Sequence, residues 1–269
     1  MKTIREAKAG EALLRLVGHN KTYFGIVIAG NAIRAKIEGG NPDDVWRRLH
    51  DEAARTNPSY FGFSGAKARF LRMFPDGFST PGYGPHERDY KLKAKSKLDA
   101  TLPLEDALSA SGHGESALAA FRATNLLSPF ESTRMQEALR SRAADAFIQG
   151  AATFAIGEVE RGLNAMEDAL KPFDIAKWTA VTYLPFLWRP EAHMFLKPEV
   201  TKDFAQRVGH RFADLYAAPL NISIYRSLLD LVGETAESIA DFGPRDNIDI
   251  QSFIWVVGKY TTDEVQTVE

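Results

Sequence analysis

The chain contains no cysteine in 269 residues. That excludes disulfides, thiolate nucleophiles and every zinc site built on cysteine, and it favours an intracellular setting. No apolar run approaches the roughly 18 residues needed to span a bilayer. The opening MKTIREAKAGEALLRL has neither the apolar stretch nor the small-residue cleavage site of a secretory leader. A cytoplasmic protein without a membrane partner is expected. The chain also lacks a P-loop, a G-x-G-x-x-G and a G-x-S-x-G motif. Gly62-Phe63-Ser64-Gly65 comes nearest to the last, with the wrong spacing. His19, His50, His86, His113, His193 and His210 form no H-x-H or H-x-x-x-H pair, so a metal would need ligands gathered from distant segments. Neither a metal nor a cofactor is expected.

What is present is an ordinary globular composition, 45% hydrophobic and 25% charged, long enough for a sizeable core. The net charge of -2 hides an uneven distribution. Ser64 to Lys97 carries eight Lys and Arg against Asp76, Glu87 and Asp89, whereas Asp214 to Glu269 carries ten acidic residues against Arg226, Arg245 and Lys259. Such polarity either steers an anionic partner to the basic segment or only solvates the surface.

The order of elements predicts a mainly α fold: a multi-helix globular body with a small N-terminal ββα unit. After a short polar lead, Thr22–Ile28 and Ala32–Glu38 read as a hairpin around Ala29-Gly30-Asn31. Asn41 offers an N-cap and Pro42 suits the first helical position. Asp43 and Asp44 complement the dipole of a helix burying Val45, Trp46, Leu49 and Ala53. Residues 1–56 form this unit, residues 57–100 a basic, Gly/Pro/aromatic-rich connection, and residues 101–269 the helical body. Within the connection, His86–Leu98 has Arg88, Lys91 and Lys95 on one face and Lys93 and Lys97 on the other. Little apolar stripe remains, which predicts an exposed basic helix or a poorly ordered arm. Near the end, Asp246 is placed to cap an apolar helix running on from Ile248.

Chemistry concentrates in Phe173–Gly209. Lys177-Trp178-Thr179-Ala180 is followed by Tyr183, Leu184, Phe186 and Trp188, then by His193-Met194-Phe195-Leu196 running into Lys197-Pro198-Glu199. Over about residues 174–209 this resembles the helix-hairpin-helix DNA glycosylase superfamily, in particular its alkylbase-removing branch. In that branch a basic residue and Trp-Thr-Ala open the second hairpin helix, and an apolar run then delivers a catalytic Asp. The resemblance implies a helical DNA-interacting protein that recognises or excises a modified base. Two positions differ. Asp174-Ile175-Ala176 replaces the hairpin glycines, removing close backbone approach to a phosphate, and Lys197-Pro198 stands at the Asp position with Glu199 beside it. Either Glu199 has taken the carboxylate's role or the cleavage step has been lost.

Removing a base requires an apolar pocket for the extruded ring and a carboxylate or amine at the sugar carbon. Lys197 and Glu199 are the catalytic candidates, as amine nucleophile and as cation stabiliser. Lys177, Trp178, Tyr183, Trp188 and His193 are substrate-binding candidates, joined by Arg245, Asp249 and Gln251 near the last helix. Read as structure, the same aromatics are core at helical spacing, Lys197 is a solvated turn residue and Glu199 a helix cap. Lys67, Arg69, Arg72, Arg88, Lys91, Lys93 and Lys95, interleaved with aromatics, have the composition of a DNA-backbone contact surface. Two other readings stay open. One is a non-catalytic scaffold whose basic segment meets an acidic protein partner. The other is an enzyme holding a small anionic substrate with Lys177, His193, Lys197 and Arg245.

Overall fold

The computed structural model describes residues 2–55 and 60–260. The expected ββα unit is corrected by its topology. The N-terminus is a four-stranded antiparallel meander, β1 (Lys2–Ala9), β2 (Ala12–His19), β3 (Thr22–Ala29) and β4 (Ala32–Gly39), in the order β1-β2-β3-β4. The hairpin is its second half. The part read as a polar lead supplies β1 and β2, which are rich in Lys, Glu, Ala, Arg and Leu, all good helix formers. Cross-strand pairing overrides that preference: Leu14 faces Val27 across the ladder, and Leu14 and Leu16 are fully buried. Two-residue turns set the register. Gly30 and Asn31 both have positive φ, as do Asn20 and Lys21, the geometry whose twist matches that of the flanking strands.

Helix α1 (Pro42–Ala54) starts as its sequence signals predict, with Asn41 Oδ1 accepting from the amides of Asp43 and Asp44. It lays Val45, Trp46, Leu49 and Ala53 on the sheet face formed by Leu14, Leu16 and Val27, a small core of its own. The boundary expected near residue 57 lies outside the described residues.

The other described residues are mainly helical and share one large core. α2 (Gly62–Met73) leads through Gly77–Ser79 to a single π-helical turn, Gly84–Arg88, which runs directly into α3 (Asp89–Thr101). α3 is neither an exposed basic helix nor a loose arm. Lys91, Ala94 and Leu98, at i, i+3 and i+7, are all fully buried. The stripe escapes a sequence reading because a lysine occupies one of its positions. Four helices follow: α4 (Leu104–Ala107), α5 (Gly114–Phe121), α6 (Pro129–Leu139) and α7 (Ala144–Ala155). Ser128 and Glu131 close a capping box on α6. α7 and α8 (Val159–Leu170) pack with their backbones nearly touching: a Cβ on Gly162 would stand 2.5 Å from the Gly150 carbonyl oxygen. The aromatic stretch forms α9 (Trp178–Val181) and α10 (Tyr183–Trp188), buried throughout. α11 (Pro198–Val208), α12 (Phe212–Leu215), α13 (Ile222–Ser238) and α14 (Asn247–Lys259) complete the body. No helix among the described residues is long and apolar enough to cross a membrane.

Candidate functional site

Helix α14 is anchored to the π turn by charge. Asp246 caps it, its Oδ1 accepting from the Ile248 amide, and both Asp246 oxygens accept from Arg88 at 2.6 and 2.7 Å. Asp249, wholly buried, accepts from the Tyr83 hydroxyl (2.6 Å), from Arg88 Nη1 (2.9 Å), and from the backbone amide and guanidinium of Arg245. Burial alone would raise its pKa, but the donors from Arg245 and Tyr83 outweigh it and hold the carboxyl below its ordinary value. One turn on, Lys91 donates to Ser252 Oγ (2.8 Å) and lies 3.5 Å from Glu87 Oε2, while Tyr260 donates to Glu87 Oε1 at 2.5 Å. Burial pulls the Lys91 ammonium down to about 8 against the opposing pull of Glu87.

In front of this network opens a cleft of about 150 Å³. The π turn contributes His86 and Glu87, and α3 contributes Tyr90. The α5–α6 link gives Asn125 and Leu126, the segment before α11 gives Phe195 and Lys197, and α14 and its end give Gln251, Trp255 and Tyr260. Gln251 is 4% exposed, and its Oε1 has no hydrogen-bond partner. A buried acceptor left empty is costly, so it marks a place where a donor belongs. Lys197 Nζ donates to the Leu126 carbonyl at 2.8 Å, leaving two ammonium hydrogens.

The candidates from the sequence divide accordingly. Lys197 and Gln251 meet in this cleft, and Arg245 and Asp249 lie in the network behind it. Glu199 is exposed on the first turn of α11, away from the cleft lining. Trp178, Tyr183, Trp188 and His193 are core struts. Trp178 Nε1 donates to the Ala217 carbonyl, Trp188 Nε1 to that of Leu102, and the Tyr183 hydroxyl to that of Ala120. His193 bridges the Ala155 carbonyl and the Tyr225 hydroxyl, and burial lowers its pKa. Lys177 is exposed, its ammonium 5.3 Å from the Phe130 ring centroid.

Most of the basic set is engaged internally. Lys67 pairs with Asp241 at 2.7 Å. Arg69 donates to the carbonyls of Val257 and Tyr260 at the end of α14. Arg88 and Lys91 are buried as described, and Lys95 binds Asp99 and the Trp188 carbonyl. Arg72 and Lys93 remain exposed. Asp263, Glu264 and Glu269 of the acidic excess lie outside the described residues. The residues that sequence reasoning missed, His86, Glu87, Asn125, Trp255 and Tyr260, are scattered across three segments. The one local signal was Tyr83-Gly84-Pro85, ahead of a turn of the kind often found at functional sites.

Among the described residues, His210, Asp230 and Glu234 alone have metal-like spacing. Their chemistry argues otherwise. His210 Nδ1 accepts from the Phe212 amide (3.1 Å), so in the neutral ring Nε2 carries the proton and faces Asp230 at 3.5 Å without a lone pair to offer. Arg47 and Arg211 already neutralise Glu234 and Asp230 at 3.0 and 2.7 Å. Burial, against the pull of Asp230, takes His210 down to about 4. The unfolded chain therefore binds this proton near pH 6.5 and the folded chain only near 4. Stability is full above pH 6.5 and is lost as pH falls towards 4. Between pH 7.5 and 5 the urea-derived stability is expected to drop by about 2 kcal/mol through His210. His210→Gln should remove that part of the slope; an unchanged slope would show that the proton goes elsewhere.

Comparison of the chain with protein-family models, with curated proteins and with solved structures finds no match, so function is argued from the site itself.

Proposed function

We propose that the cleft between the π turn and α14 binds one planar heterocycle of nucleobase size. The observation that carries this reading is the buried, unpartnered Gln251 Oε1 in a cleft walled by the rings of Tyr90, Phe195, Trp255 and Tyr260. Ring faces interleaved with polar groups are what an aromatic ring with a hydrogen-bonding edge requires. Size narrows the choice: about 150 Å³ suits a single ring, as an apolar cavity of that volume holds benzene, and falls short of the roughly 300 Å³ or more of drug-sized sites.

This keeps the base-recognition part of the glycosylase resemblance and shifts its residues from Lys197 with Glu199 to Lys197 with Gln251. Recognition, rather than bond cleavage, is the reading favoured. Glu199 does not line the cleft, and Glu87 already holds Tyr260 and Lys91. The ring has two sources, a free base or one turned out of a nucleic acid. With Lys67, Arg69, Arg88, Lys91 and Lys95 engaged internally, phosphate contacts contribute little, and duplex binding should depend only weakly on salt.

Titration calorimetry of the full chain with free bases, and with duplexes carrying or lacking an extrahelical base, tests this. Binding of single-ring bases is expected, with Gln251→Leu weakening it at least about tenfold, the cost of one buried hydrogen bond. If no base binds in either form, the reading fails. Tight, steeply salt-dependent binding to plain duplex would instead return the exposed cations to the centre of the problem.

A further inference from the structure

The N-terminal sheet buries one side against α1, and its other side is apolar as well. Strand alternation assigns the residues: Leu14, Leu16 and Val27 point to α1, so Leu13, Val17, Phe24, Ile26 and Ile28 point the opposite way. These five belong to neither core. The ladders make them contiguous, because Leu13 lies opposite Ile28, Val17 opposite Phe24, and Ile28 opposite Ile33, which is 53% exposed. A patch of this kind marks an interaction surface.

We propose that a second copy of this chain covers it, the two sheets packing face to face about a two-fold axis parallel to the strands. Charge complementarity carries the choice of partner. One row crosses the face from Glu6 through Arg15 and Ile26 to Lys36. Arg15, on a central strand, is matched by Glu6 at 2.7 Å and enters the interface already paired. The stated axis lays β1 over β4 of the partner subunit, which sets the exposed Glu6 against Lys36 of the partner subunit, and the same contact repeats on the other side. The face is its own complement. The other charges on it, Lys8 and Glu38, lie on the edge strands with opposite signs, and the polar Thr3, His19 and Thr22 lie towards one end. No excess of one sign calls for a nucleic acid or an acidic protein.

Area and edges agree with this. Four strands of eight residues span about 19 by 27 Å, and two such faces bring together about 1,000 Å², where specific interfaces begin. Edge-to-edge pairing is opposed instead, since each outer strand carries a bulge, at Ile4 and at Arg34, and a run of charged side chains.

Sedimentation equilibrium of the full chain between about 1 and 100 µM tests the proposal, a range suited to a small interface. The mass is expected to rise from 29.8 kDa to twice that value. Ile26→Glu puts an unpaired carboxylate from each copy into the centre and should weaken association at least about a hundredfold, a factor of ten per copy. Lys36→Glu, at an exposed edge position, should weaken it about tenfold by setting like charges together, and adding Glu6→Lys should restore much of the loss. A chain that stays monomeric throughout overturns the proposal, as does a dimer that Ile26→Glu leaves intact. Should Ile26→Glu fail to fold, the edge variants decide: association unchanged by Lys36→Glu, or not recovered with Glu6→Lys, overturns the packing stated here.

Discussion

Asp249→Ala is expected to cost about 3–5 kcal/mol, the range for breaking a buried ionic cluster by removing one partner. Asp249 has no exposed surface and gathers Tyr83, Arg88 and Arg245. Without it the Tyr83 hydroxyl loses its acceptor inside the core, and Arg88 keeps only Asp246. Asp249→Asn retains one acceptor oxygen and the shape, so it should lose less. Urea unfolding monitored by circular dichroism gives both numbers. A loss below about 1 kcal/mol for the alanine variant would mean that the cluster relaxes to solvent, as exposed ion pairs do. Because the cluster holds the π turn against α14, ring binding in the cleft should weaken in the same variant.

Phe70→Ala should be comparably severe, about 3–5 kcal/mol. Phe70 is fully buried on α2, and its ring has the rings of Phe74, Phe78, Tyr83, Phe242 and Phe253 within 5.1–6.3 Å. It joins α2 to the stretch before the π turn, to Phe242 in the short turn after α13 and to α14. Truncation leaves a cavity that five rings cannot all collapse to fill. Since Tyr83 belongs to this cluster and to the Asp249 network, the two substitutions share a partner, and their effects should be non-additive by at least about 0.5 kcal/mol in a double-mutant cycle. Strict additivity would show that the aromatic and ionic clusters are independent.

How much of this was legible in the sequence depends on whether the signal is local. The start of α1 was readable because Asn41, Pro42, Asp43 and Asp44 act within one turn of each other, and Asp246 capping α14 was readable for the same reason. β1 and β2 were not, because their residues favour helix and only the ladder to β3 makes them strands. The basic segment misled for a physical reason: composition reports that lysines and arginines are present, not whether their charges are already matched. Arg88 finds its carboxylates 158 and 161 residues away, and Lys67 finds Asp241 at 174. The aromatic stretch reads in the sequence as substrate-binding, with core packing as the alternative; its polar atoms are satisfied internally, and the cleft lies at its edge, lined by Lys197 and Gln251.

The π turn has a consequence for permitted chain length. In an α-helix, residues five apart point about 140° away from each other. Tyr83 and Arg88 are five apart, yet both donate to Asp249 Oδ1, because the wider turn, closed by the Asp89 amide on the Gly84 carbonyl, brings them over one another. Turning it into regular helix at unchanged length would swing one of the two donors off the carboxylate, whereas removing one residue would set the pair four apart, about 40° from each other, and keep both on one face. The spacing of Tyr83 and Arg88 and the shape of the turn are therefore one requirement: five residues apart need the π turn, and a chain one residue shorter would serve the same carboxylate from an ordinary α-helical turn.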